Sequence, residues 1–269
     1  ANTTASNNTA VGRNALSANT TASNNTAVGK SALLANTTGA DNVAVGSDAL
    51  NSNQTGEKNT AIGQSCLYSN TTANKNVAVG HRSLQLTTTG ADNTGVGTLS
   101  LAVNTTGHNN VALGQNALGA NTTGANNVAV GSLALDANTT AGHNTAVGKN
   151  ALGANTTGEY NLCMGSNAGA QTNGTGNVYG GFYSGKDSDT GNYNTALGYY
   201  AFCANQNDSS VSGSNNVAIG YQTLYVVSTG GSNTAVGNQA GKNITSGNGN
   251  TLLGNSAGLS NSPSGSVTT

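Results

Sequence analysis

A single phrase, Asn-(Thr/Val)-Ala-(Val/Ile/Leu)-Gly, recurs through this 269-residue chain and restricts its folds more than any other feature. Its glycine stands at fifteen positions from Gly12 to Gly254. Twelve of the fourteen intervals are 17 residues, one is 16 (Gly165 to Gly181) and one is 22 (Gly198 to Gly220). A fixed period of this size marks a stacked repeat, in which each unit buries its apolar face only against its neighbours.

Within a unit, Asn25-Thr26-Ala27-Val28-Gly29 alternates, which predicts a short strand with Thr26 and Val28 on one face and Ala27 on the other. Val43, Val77, Val111 and Val128 replace the threonine, so the Thr/Val face is expected to be the core. The next segment, Ala32-Leu33-Leu34-Ala35-Asn36-Thr37, predicts a second strand with Leu33 and Ala35 inward, and Thr38-Gly39-Ala40-Asp41 reads as a turn. Frequent Gly, Asn and Thr oppose helix. The expectation is an all-β parallel β-solenoid, a β-roll of about fifteen 17-residue turns with two short strands per turn. A triangular coil with Thr-Thr-Gly on its third face is the alternative. The array spans 1–258 with an irregular, aromatic-rich segment at 166–215, and 259–269 is a C-terminal tail. Stacking would align identical residues, so asparagines would form hydrogen-bonded ladders.

Composition narrows the functional classes. Only 17 residues are charged, with a net charge of −1, which gives no footprint for nucleic acid or an anionic membrane surface. No apolar run reaches the length of a bilayer span. The chain opens without the basic and apolar regions of a secretion signal, as a mature secreted chain also would.

The recurring Asn-(Thr/Val)-Ala-(Val/Ile)-Gly phrase, followed by Ala-Leu, resembles the head repeats of trimeric autotransporter adhesins of the YadA-like type and of related bacterial fibre proteins. The resemblance implies a left-handed parallel β-roll, usually three chains side by side, displayed outside the cell.

Groups that could carry chemistry are dispersed. His81, His108 and His143 occupy different turns and different places in their units, without metal-ligand spacing to Cys or carboxylates. Asp187 and Asp189 are the closest acidic pair and read as a solvated turn. Cys66 and Cys163 each replace an alanine of the repeat, and Cys163 and Cys203 lie about two turns, near 10 Å, apart along the axis, too far for a bridge. These features point away from an enzyme and call for no cofactor, metal or catalytic residue.

Nine of the eleven aromatic residues lie between Tyr179 and Tyr225. Tyr179, Phe182, Tyr183, Tyr199, Tyr200, Phe202, Tyr221 and Tyr225 are the candidate interface. They could anchor a second subunit, stack on sugars or thicken the local core. Asn-x-Ser/Thr sequons recur in one slot, at Asn19, Asn36, Asn53, Asn70, Asn104, Asn121, Asn138 and Asn155. Facing outward they would be a row of glycosylation sites, and facing inward an asparagine ladder.

The resulting expectation is an extracellular or cell-surface structural or adhesive fibre protein. Its partners are copies of itself, as a side-by-side trimer or a head-to-tail filament, and surface glycans. In the filament, the half-turn at Ala1-Asn2-Thr3-Thr4 would be completed by another copy, with Ser266–Thr269 as a candidate swapped strand. An ice-binding solenoid and a carbohydrate-binding phage-type fibre segment are the alternatives. A Thr-Thr pair with its members on opposite faces leaves one threonine per turn on each.

Overall fold

The computed structural model describes residues 4–204 and 211–259. Residues 1–3, the insertion Gln206–Ser210 and the tail from 260 onward, including Ser266–Thr269, lie outside them. The described residues are all-β, and each of the two compact units into which the chain divides, Ala1–Leu133 and Ala134–Thr269, is a parallel β-solenoid. The first holds eight described strands from β1 (Thr9–Val11) and β2 (Thr26–Val28) to β8 (Val128–Val130). The second holds seven, from β9 (Thr145–Val147) through β11 (Val178–Gly180) to β15 (Thr251–Leu253). Every strand is three residues long and pairs in strict register with the equivalent residues one turn away, as in Thr26↔Val43, Ala27↔Ala44 and Val28↔Val45.

The expected core face is reversed. Ala27, Ala44, Ala61 and Ala78, at the strand centres, are fully buried, while the flanking Thr/Val and Val/Ile positions are half-buried or exposed. The reason is thickness: the strand centre meets a leucine from the opposite side of the same turn, and only a methyl fits between. The β-branched residues instead stand on the outer surface of the sheet, where their stiff side chains suit the pleat.

The second aliphatic segment does not form the strand expected of it. Its residues alternate into the left-handed region, with Ser31 at φ 55° and Leu33 at φ 49°, and curl into successive turns. These turns still bond to the next coil, through Leu33 N to Ala49 O (3.0 Å) and Ala35 N to Asn51 O (3.0 Å). A left-handed leucine costs about 1–2 kcal/mol. Its complete burial, worth about 1.5–3 kcal/mol, offsets that cost. Leu33 is buried as expected, whereas Ala35 is only half-buried.

The anchor glycine is a requirement of close stacking. At Gly46, φ is 134°, and a Cβ would lie 2.6 Å from the carbonyl oxygen of Gly63 in the next turn. Between anchors, two asparagine ladders close the corners. At the strand entrance, Asn25 Oδ1 accepts from the backbone N–H of Asn42 (3.0 Å), and Asn42 Nδ2 donates to Gly56 O (2.8 Å). On the far corner, Asn36 Nδ2 donates both to Asn19 Oδ1 (3.0 Å) and to Gly39 O (2.9 Å).

Candidate functional site

The aromatic residues divide by their place in the turn. Tyr179 takes the strand-centre position of β11, and Phe202 takes the left-handed leucine position of the next turn; both are completely buried. Their rings lie 6.4 Å apart, and the Tyr179 hydroxyl donates to Ser188 Oγ at 2.7 Å. Burial holds the Tyr179 phenol well above its usual pKa, with the Ser188 bond acting against the shift. These two residues are core, which removes them from the expected interface.

The other six remain on the surface as a ladder. Phe182, Tyr199 and Tyr221 each follow an anchor glycine and stack at 5.3 Å and 5.8 Å, with planes within 20°. Beside them Tyr183 stacks on Tyr200 at 5.1 Å, and Tyr225 meets Tyr200 edge-on at 6.0 Å. The amines of Lys186 and Lys242 lie over the rings of Tyr183 and Tyr225. Desolvation first, and then the neighbouring phenols of Tyr199 and Tyr183, raise the pKa of Tyr200. Because the rings face one another along the stack, they present edges and hydroxyls outward rather than a flat platform.

The sequon row is an internal ladder. Asn19, Asn36, Asn53, Asn70, Asn104, Asn121, Asn138 and Asn155 are all buried. Asn53 Nδ2 bonds Asn36 Oδ1 (2.7 Å) and Asn70 Nδ2 bonds Asn53 Oδ1 (2.6 Å). The amide nitrogens a glycan would need point into the corner of the coil, so this row cannot carry glycans in the folded chain.

Asp187 is also a correction. It is buried rather than solvated, pairs with Lys186 at 3.7 Å and accepts from Cys203 Sγ at 3.5 Å. The three thiols, of Cys66, Cys163 and Cys203, are free and buried. His143 stacks on the exposed Tyr160 at 5.0 Å. No group of three or more His, Cys, Asp or Glu side chains suited to a metal forms among the described residues, and no helix there is long and apolar enough to cross a membrane.

Two surface features escaped the sequence reading. One is the column formed by the third residue of each strand, exposed at Ile62, Val96 and Leu113 in the first unit and at Val147, Met164, Leu197 and Ile219 in the second. Reading this column as core concealed it, although a slot that takes Val, Ile, Leu, Met and, at Gly180, no side chain at all shows none of the size restriction of a packed core. The other is a groove of about 380 Å³ in the second unit, bounded by Asp136 and by Tyr183 and Lys186. Desolvation raises the pKa of Asp136, against hydrogen bonds from its own backbone and that of Ala137.

No model of a known protein family matches the chain, and no curated protein matches its sequence.

Proposed function

We propose that this chain is a structural segment of an extracellular or cell-surface fibre of the adhesin type, working by association and display rather than catalysis. Its solenoids associate side by side with copies of themselves through the outer face of the sheet. The observation that carries the reading is the aliphatic column on that face. Met164 is 49 % exposed and Ile62 41 %, in a chain with almost no charge to keep such a surface solvated. Flat columns of this kind mark association surfaces, and packing of one column against its copies about a common symmetry axis closes the contact. The exposed aromatic ladder at Phe182, Tyr199 and Tyr221 supplies a second contact of the kind that anchors interfaces. The YadA-like resemblance of the repeat supports the same reading and favours three copies.

Sedimentation velocity on the purified chain tests it. The expected result is a concentration-dependent oligomer that Ile62→Lys, Leu113→Lys and Ile219→Lys together convert to monomer. A monomer at every concentration, or an oligomer indifferent to the three lysines, would overturn it.

A further inference from the structure

The groove of the second unit exists because side chains are missing from one column. The fifth residue after the anchor glycine varies in size along the chain, from Leu34, Tyr68 and Gln85 to Ala102 and Gly119, and here it is Gly153 and Ala170, flanked by the longer Asp136 and Lys186. The resulting depression of about 380 Å³ falls within the range of small-ligand sites. Asp136 stands at one end, and Tyr183 with Lys186 at the other.

The lining selects a ligand class. Asn150 Nδ2 donates to Asn167 Oδ1 at 2.8 Å, and Asn167 Nδ2 to Ser166 Oγ at 3.1 Å, which fixes both amides in place. The Asn150 carbonyl oxygen is thereby laid over the floor, so close above Gly153 that a Cβ there would collide with it. The exposed Gln171 adds a further amide on the rim. Primary amides donate and accept from one side-chain end, as vicinal hydroxyls do. An anion is poorly served, since the one amine, Lys186, is held 3.7 Å from Asp187. A lipid chain would need an apolar tunnel rather than an open groove walled by amides.

We infer that this groove binds a short stretch of neutral glycan, with Asn150, Asn167 and Gln171 engaging hydroxyls and the edge of the Tyr183 ring closing one end. The turn spacing of about 4.8 Å is close to the length of one pyranose unit in an extended chain, so successive sugars would meet equivalent positions of successive turns. The site lies within one chain and stands apart from the self-association proposed above.

Maltotetraose, cellotetraose and chitotetraose, each titrated into the full chain, test the inference by saturation-transfer NMR and tyrosine fluorescence. One of the three is expected to saturate. Gly153→Gln, which places in the groove the residue that Gln85 supplies in its own turn, should weaken binding about tenfold or more. Gln171→Ala, an exposed truncation, should weaken it several-fold with an unchanged thermal melt. Saturation by none of the three sugars, or equal binding by both variants and the parent chain, would overturn the site.

Discussion

The ring of Tyr179 occupies the space that a side chain at Gly185 would fill. Gly185 stands where most turns have the left-handed leucine, and so does Gly169, where a Cβ would lie 3.1 Å from Tyr179 Cδ2 and 2.7 Å from Cys163 Sγ. The same exchange recurs at β15, where Leu252 takes the strand centre and Gly241 and Gly258 make room for it. A large strand-centre residue, as at Tyr179 and Leu252, is thus matched by glycine in the facing slots, whereas most turns set alanine against leucine. Gly185→Leu alone should destabilise the second unit by about 1–3 kcal/mol through overpacking, and Tyr179→Ala alone by about 3–5 kcal/mol. The double variant should recover part of both losses. Urea unfolding followed by circular dichroism gives the coupling, and strictly additive losses would show that the two sites do not share one volume.

Thr87 interrupts the far-corner ladder and leaves Asn70 Oδ1 buried without a hydrogen-bond partner, along with its own hydroxyl. Within the uninterrupted run, a ladder oxygen accepts from the asparagine one turn later, as Asn36 Oδ1 does from Asn53 and Asn53 Oδ1 from Asn70. Thr87→Asn supplies that donor at the matching place. It should stabilise the first unit by about 1 kcal/mol, read as a raised urea midpoint; a lowered midpoint would mean that the corner at this turn is too tight for the amide.

The period, the anchor glycine and the all-β solenoid were legible because each depends on spacing, which a sequence displays directly. The facing of Thr26, Ala27 and Val28 was not. Alternation says that neighbours point to opposite sides, but the choice of side depends on how much room Leu33 leaves across the coil, a property of the closed turn. The second strand failed for a related reason: Ser31 and Leu33 adopt left-handed angles that local propensity disfavours and that coil-to-coil hydrogen bonds impose. The aromatic cluster was found as a cluster, yet its division into the buried Tyr179 and Phe202 and the exposed ladder follows from slots within the turn. The groove was less legible, because Gly153 and Ala170 share their column with other small residues, Ser17, Ala102 and Gly119, and small size alone does not single them out.

Stability should fall on the alkaline side. Burial, reinforced by the Asp187 carboxylate, pushes the Cys203 thiol up to about 12, and burial pushes the Tyr179 phenol higher still. In the unfolded chain these groups ionise near ~8.5 and ~10. A pKa raised by folding contributes stability that is complete below the unfolded value and is lost as pH rises toward the folded one. The urea midpoint is therefore expected to be level from neutrality to about pH 8.5 and to decline above it. Cys203→Ala should make the first part of the decline shallower, and Tyr179→Phe the part above about pH 10. A midpoint that stays level to pH 11 would show that neither group is protected as its surroundings require.

The ladder reading of the sequon row makes the last prediction. Asn53 holds three hydrogen bonds at once: its amide donates to Asn36 Oδ1 and Gly56 O, and its oxygen accepts from Asn70. Asn53→Ala would strand the Asn36 oxygen and one Asn70 proton in a buried corner, while Gly56 O keeps its bond from Asn42 Nδ2, at about 1–3 kcal/mol for each buried group left unpaired. A loss of about 3 kcal/mol is expected. Asn7 carries the same sequon on an exposed position, where its amide reaches Asn24 Oδ1 at 3.3 Å. Asn7→Ala should change stability by less than about 0.5 kcal/mol. Equal effects of the two substitutions on the urea midpoint would mean that the row at Asn53 is open to solvent, and only then could it accept a glycan.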